Sequence, residues 1–208
     1  MLITFEGIEG CGKSTQVDLL FDYLIKKGLR VIKTREPGGT AYGETLRDVA
    51  LQKNLKVSPL SELITIMAIR AQHVEELIVP ALKDRTIILC DRFVDASYAY
   101  QGYGRGIDLG IIETLNRLVT RGISPTLTVL IDCTADMGLK RKEKNNRPLD
   151  RFEEEGLLFH QKIRNAYLKL AKEDKKRFFV VDGTAEIDEV HRIIKEKVES
   201  LLMSHGIE

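Results

Sequence analysis

Residues 7–14 of this 208-residue chain read Gly7-Ile8-Glu9-Gly10-Cys11-Gly12-Lys13-Ser14, which satisfies GxxxxGK[ST] at every fixed position. An apolar run at 2–5, with the composition of a buried strand, precedes it. Behind it, Val17, Leu19, Leu20, Tyr23 and Leu24 recur at helical spacing until Gly28. Strand, glycine-rich turn and helix in that order make a loop whose successive backbone N–H groups wrap phosphates. Lys13 adds a point charge, the Ser14 hydroxyl is suited to ligate Mg²⁺, and the helix start contributes its positive end. Glycine is needed where the backbone approaches a phosphate with no Cβ in the way. Gly7, Ile8, Glu9, Gly10, Cys11, Gly12, Lys13, Ser14 and Thr15 are therefore assigned to nucleotide binding. The alternative is a glycine-rich turn that only happens to spell the motif.

Apolar, β-rich segments recur at 2–5, 29–33, 86–90, 126–131 and 177–181, with helix-period stretches between them. This alternation predicts an α/β fold, a doubly wound five-stranded parallel sheet with helices on both faces and ligands at the carboxyl ends of the strands. The residues that follow each segment are the informative ones. They are the P-loop, then Arg35-Glu36-Pro37-Gly38-Gly39-Thr40, Asp91-Arg92-Phe93, Asp132, and Asp182-Gly183-Thr184. A long helix is expected over 60–82, opened by Ser58-Pro59 and interrupted near its end by Pro80, with Arg70 and His73 breaking its apolar stripe. With no repeat and no linker, residues 1–208 read as one domain, carrying a mobile basic lid at about 140–153.

Basic and acidic residues nearly cancel, 32 against 31, so no global field favours nucleic acid as a partner. Cys11, Cys90 and Cys133 form no CxxC pair and read as reduced thiols. No charged-then-apolar leader opens the chain, and no apolar run approaches about 18 residues. The expectation is a cytoplasmic protein with no membrane association.

The P-loop alone does not separate a switch protein, a motor and a transferase. Asp91 ends the third strand, where P-loop proteins hold Mg²⁺ with a carboxylate, although an Asp there also serves as a helix cap. No DxxG or NKxD follows as in a GTPase; Arg92 does, suited either to an attacking phosphate or to a surface pair with Asp91. Phosphoryl transfer between two nucleotides needs several phosphate charges neutralised and water excluded. Lys140, Arg141, Lys142, Lys144, Arg147 and Arg151 would supply a cationic lid, or form solvated helix faces. The P-loop itself contains no Arg.

The stretches GIEGCGKS, TREPGGT, Arg70-Ala71-Gln72-His73, DRF followed by Ser97, AYQGYGRG at 99–106 and LDRFE at 149–153 resemble the thymidylate kinase family, ATP-dependent dTMP kinases. The resemblance runs over about residues 2–190, and the P-loop lacking Arg together with a basic lid is similar to the bacterial subtype. It implies transfer of the γ-phosphate of ATP to dTMP, giving dTDP and ADP, with Mg²⁺ held by Ser14 and Asp91. It further implies that Lys13, Arg92, Arg147 and Arg151 are catalytic, and that Arg141 joins the ATP site, with Gly183 and Thr184 bordering the adenine or forming a bare turn. On the dTMP side it implies Glu9 near the sugar, Arg92, Arg35 and Arg47 on the phosphate, and Tyr100 around the deoxyribose, with Tyr103 either beside it or a buried structural tyrosine. Ile66 and Arg70 would lie against the thymine, and Ser97 and Gln101 would read its edge. The family usually carries Phe at position 66; Ile66 covers a ring without offering a π-face. A homodimer packed through helices is also implied. Kinases for dUMP or a deoxynucleoside, and a regulatory protein that hydrolyses ATP slowly without an acceptor, share the ATP site and stay open at this point.

Overall fold

The structure is a computed structural model that describes residues 1–143 and 150–207. Its elements follow the order β1 (Leu2–Glu6), α1 (Lys13–Lys26), β2 (Val31–Arg35), α2 (Ala41–Leu51), α3 (Pro59–His73), α4 (Val79–Lys83), β3 (Ile87–Asp91) and α5 (Val94–Ser97). Then come α6 (Leu109–Val119), β4 (Leu127–Asp132), α7 (Ala135–Glu143), α8 (Leu157–Glu173), β5 (Phe178–Asp182) and α9 (Ile187–Ser204). The five strands are all parallel in the order β2-β3-β1-β4-β5. β1 is thus central. From it the chain crosses over β3 to reach β2, and from β3 it crosses over β1 to reach β4, so the crossovers diverge beside the P-loop and leave a crevice at the carboxyl edge.

Alternation along β1 divides the core. Ile3 and Phe5 join Ile87 and Leu89 against Val17, Leu20 and Leu24 of α1 and Ile194 and Val198 of α9. Leu2 faces the other way and packs with Ile88, Cys90, Val74 and Ile78. On that second face Thr4 and Thr128 share a hydrogen bond of 2.9 Å, and Arg177 clamps buried Asp95 with bonds of 2.6 and 2.9 Å. The polar positions inside this sheet are therefore satisfied in pairs, as burial demands.

Several boundaries differ from the sequence reading. Strands β3, β4 and β5 run one residue further, because Asp91, Asp132 and Asp182 still pair in the backbone ladder, which is indifferent to side-chain polarity. β2 starts two residues later than expected, since Gly28 and Leu29 donate their N–H groups to Ile25 and Leu24 and finish α1. The helix expected over 60–82 passes from α3 through a π-helical turn at Val74–Ile78 into α4. Pro80 has no N–H and its ring crowds the carbonyl four residues back, and the wider turn lets the helix continue. A second π-helical segment, Tyr98–Gly104, extends α5 and carries Tyr100 and Gln101.

Glu6, at the end of β1, is fully buried, and its carboxyl accepts from the Phe93 N–H and the Tyr167 hydroxyl, both at 2.7 Å. Burial, reinforced by Asp95, outweighs the pull of Arg92 and these two donors and pushes it up to about 8, from an ordinary 4.5. Between those values the folded state holds a proton that the unfolded state has released, so its contribution to stability is present below 4.5 and is lost as pH rises through about 8. Urea unfolding from about pH 5 to about pH 8 is expected to show this decline in the wild type and a flatter profile in Glu6→Gln. Parallel profiles for the two proteins would contradict the assignment.

Candidate active site

The P-loop bends through three glycines with positive φ, Gly7 at 140°, Gly10 at 71° and Gly12 at 105°. Gly10 also has no room for a side chain, since a Cβ there would lie 2.0 Å from the Gly138 carbonyl oxygen on α7. Gly12 caps α1 without a side-chain partner, so the first N–H groups of the helix are left for an anion. Lys13 is buried and its ammonium folds back on the loop, donating to the carbonyls of Gly7 (3.1 Å) and Ile8 (2.8 Å) and lying 3.6 Å from the Cys11 sulfur. These contacts tie the lysine to the backbone of its own loop.

One cavity of about 890 Å³ joins the P-loop to the ends of β2 and β3, to α3 and to the turn after β5. Of the expected nucleotide residues, Glu9 to Thr15 and Arg141 form part of its wall. Gly7 and Ile8 are not in the wall. They act from beneath, with carbonyls that receive Lys13 and, at Gly7, Arg92 as well. Arg141 donates to the Gly183 carbonyl at 2.8 Å and so meets the turn of Gly183 and Thr184, both in the wall.

Ser14 donates to Asp91 at 2.6 Å, and both line the cavity. A hydroxyl and a carboxylate beside a phosphate cradle fit Mg²⁺, which takes few protein oxygens and completes its shell with phosphate and water. Among the described residues there is no group of three or more His, Cys, Asp or Glu side chains that could hold a metal ion.

Arg92 does not form the surface pair with Asp91 that was the alternative for it. Its backbone sits at φ 70°, a strained conformation for Arg, and its guanidinium turns inward. It donates to the Gly7 carbonyl (2.8 Å), the Tyr167 hydroxyl (3.0 Å) and Glu9 (3.0 Å), and lies 5.0 Å over the Tyr100 ring. Glu9 accepts from Tyr100 as well, at 2.5 Å, and its second oxygen is 3.1 Å from His160 Nδ1. Burial would raise the Glu9 carboxyl, but Arg92, His160, Lys13 and Tyr100 together hold it well below the carboxylate range.

Arg35 and Arg47 stand together at the cavity edge. Arg35 pairs with Glu44 at 2.8 Å and Arg47 donates to the Pro37 carbonyl at 2.5 Å. Burial, and then the charge of Arg35, lower the pKa of Arg47. Two cations forced into proximity form a site that an anion relieves.

Arg70 is committed to the protein rather than free to turn. It donates to Glu36 (2.6 Å), Ser97 (2.8 Å), Asn116 (2.6 Å) and the Phe93 carbonyl (3.0 Å). Of its five N–H groups, one on Nη2 has no oxygen partner among the described residues, which leaves a single directed donor for a ligand. Glu36 also accepts from His73, whose other nitrogen meets Thr34 at 2.8 Å. Arg70 and His73, the two breaks in the apolar stripe of α3, thus tie that helix to the segment after β2. Ile66, Ser97, Tyr100 and Gln101 lie in the same wall, with the Ser97 hydroxyl also orienting Arg70.

Two of the residues singled out from the sequence, Arg151 and Tyr103, are not in the wall of the main cavity. Arg151 lies away from the P-loop: it donates to Glu62 (2.7 Å) and the Ala50 carbonyl (3.1 Å) and borders a separate cavity with Arg105 and Glu155. Tyr103 is not in the main wall and instead packs under Lys169. In the lid segment, Lys140 pairs with Asp136 on the surface of α7, Lys142 pairs with buried Glu153 in the wall of the main cavity, and Lys144 and Arg147 lie outside the described residues. Sequence reading missed His160, Asn116, Glu62 and Tyr167. Their only signal was a polar residue at a buried helical position, and their partners are far off in sequence.

A family model described as Thymidylate kinase matches residues 5–194. A thymidylate kinase of Geotalea daltonii is 53% identical over 194 residues, covering 90% of this chain and 91% of its own. One of Kosmotoga olearia is 44% identical over the full length of both chains. The crystal structure of thymidylate kinase from Ehrlichia chaffeensis superposes with a TM-score of 0.78 at 36% identity, over 96% of this chain and 98% of that one. A central P-loop, a buried Arg on α3 and an Arg after β3 that faces the same cavity accompany these likenesses, and the chain belongs to the thymidylate kinase family.

Proposed function

We infer that the chain is an ATP-dependent kinase that moves the γ-phosphoryl group of ATP to the 5′-phosphate of dTMP, giving dTDP and ADP. The observation that carries this reading is the continuity of the cavity. One space runs from the adenine-side turn at Gly183 past the P-loop to Arg70 and Gln101, so two nucleotides can meet with their phosphates between Lys13 and Arg92. The acceptor phosphate is already anionic, and no general base is required. What the reaction needs is alignment and charge stabilisation. Lys13 and the α1 N-terminus receive the donor phosphates, while Arg92, Arg35 and Arg47 receive the acceptor phosphate. Glu9 holds Arg92 in place and stands beside the sugar with Tyr100. Ser14 and Asp91 would hold Mg²⁺, which when bound supplies charge neutralisation across the donor phosphates.

The chain acts as one P-loop kinase domain, with a basic lid over 140–153 in which Arg141 serves the ATP side and Arg147 is the candidate for the transferring phosphate. Arg151 supports the acceptor side from behind, through Glu62. Among the described residues no helix is long and apolar enough to cross a membrane, and a cytoplasmic location fits the reaction. Homodimerisation is supported by α3 and α6, which pack together through Leu63, Met67 and Ile112 and leave Leu60, Ile64, Ile111 and Leu118 exposed.

A coupled assay of ADP release across nucleoside monophosphates tests the reaction, with dTMP expected as the preferred acceptor; acceptor-independent hydrolysis would instead favour a regulatory ATPase. Lys13→Ala and Arg92→Ala are each expected to lower turnover by about 10³-fold or more, and near-normal rates in folded variants would remove those roles. Ile66→Phe is expected to lower KM for dTMP by about two- to ten-fold, because it restores an aromatic face over the base; an unchanged KM would place the base elsewhere. Sedimentation of Ile64→Asp and Leu118→Asp should show monomers where the wild type is a dimer, and a wild-type monomer would exclude the assembly.

A further inference from the structure

Glu62 is almost completely buried one turn into α3 and touches none of the phosphate-binding groups. Four contacts converge on it. Oε1 accepts from Gln101 Nε2 at 2.9 Å and from Arg105 Nε at 3.4 Å; Oε2 meets Arg151 Nη1 at 2.7 Å and Arg105 Nη2 at 3.3 Å.

A carboxylate paired with two guanidinium groups accepts hydrogen bonds and donates none. The nitrogen end of the Gln101 amide therefore has to face it. Turning the amide by half a revolution would set its carbonyl against a buried carboxylate and forfeit a charge-assisted bond. The carbonyl oxygen has no partner among the described residues, and Gln101 belongs to the wall of the main cavity. An unlocked glutamine could swap its two ends before a ligand. This one keeps its acceptor in a fixed place, with the second N–H of Nε2 beside it.

We propose that Glu62 is a specificity-positioning residue, which locks the Gln101 amide so that the acceptor site selects a pyrimidine carrying a proton on N3 over one whose N3 is a bare lone pair. The first class is thymine and uracil, the second cytosine. The proposal rests on the dTMP reading above and adds the reason why Gln101 cannot adapt to the wrong base. A site with a fixed polar group rejects a mismatched partner far better than one that reorients.

The test compares kcat/KM for dTMP and for 5-methyl-dCMP, which shares the methyl group and sugar and differs at N3 and the 4-substituent, using the full chain and checking each variant by thermal melting. Glu62→Gln can offer either end of its own amide, and the ratio of the two kcat/KM values is expected to fall at least ten-fold. Glu62→Asp keeps an acceptor and should retain the ratio even with a lower melting temperature. The charge-conserving exchange E62Q/Q101E places an acceptor-only group at 101 and should restore discrimination. It stands in as the reading if Glu62→Gln does not fold, and a collapsed ratio in a folded exchange variant would overturn the proposal. So would an unchanged ratio in folded Glu62→Gln. A wild type that phosphorylates neither nucleotide would remove the acceptor assignment instead; calorimetric binding of the same two nucleotides then reads the lock, with equal affinities counting against it.

Discussion

The contact between Glu9 and Arg92 anchors the site. An acidic residue in the middle of a phosphate-binding loop would ordinarily repel the ligand, and a guanidinium buried at the end of a strand would be costly without a partner. Set 3.0 Å apart, they neutralise one another. The pair is braced by Tyr100 and His160 on the carboxylate and by Tyr167 and the Gly7 carbonyl on the guanidinium. The positive φ of Arg92 follows from this arrangement, since the chain leaving β3 must bend for the side chain to turn back under the P-loop. The P-loop and the end of β3 are thereby joined by one hydrogen-bonded unit.

A second network joins α3 to the ends of β2 and β3. Glu36, after β2, holds both Arg70 and His73 of α3, and Arg70 in turn holds Ser97 and the Phe93 carbonyl after β3. Stretches that look like independent motifs in the chain are thus parts of one buried cluster. Its effect is preorganisation: Arg70 arrives at the cavity with nearly all its donors spent, so the remaining one has a defined direction.

The fold was legible to within a residue or two. Strand positions follow from apolar, β-rich runs, and only their ends were misjudged, since Asp91 and Asp132 look like loop residues while their backbones remain in the ladder. The π-helical turns were not legible, because helical periodicity cannot register one extra residue per turn over so short a stretch. Glu9 to Thr15, Asp91, Arg92 and Arg70, singled out from the sequence, line one cavity. Arg151 borders another and pairs with Glu62, and in a basic segment an arginine that neutralises a buried carboxylate looks like any other.

The reach of the one-dimensional information has a physical boundary. Phosphate binding by residues 7–14 depends on the conformation of contiguous backbone, so eight letters and their flanking strand and helix were enough to assign it. The alternation of strand and helix made a parallel sheet equally accessible, whereas the strand order that brings Arg35, Asp91 and the P-loop to one edge came only with the tertiary structure. Which way a side chain turns is another matter. His160 lies 151 positions from Glu9 along the chain and 3.1 Å from it in space, and the nitrogen end of Gln101 is selected by a carboxylate 39 positions away. Hydrogen bonds and ion pairs act over a few ångströms of space and desolvation sharpens them, so these choices were settled only when packing buried the partners together.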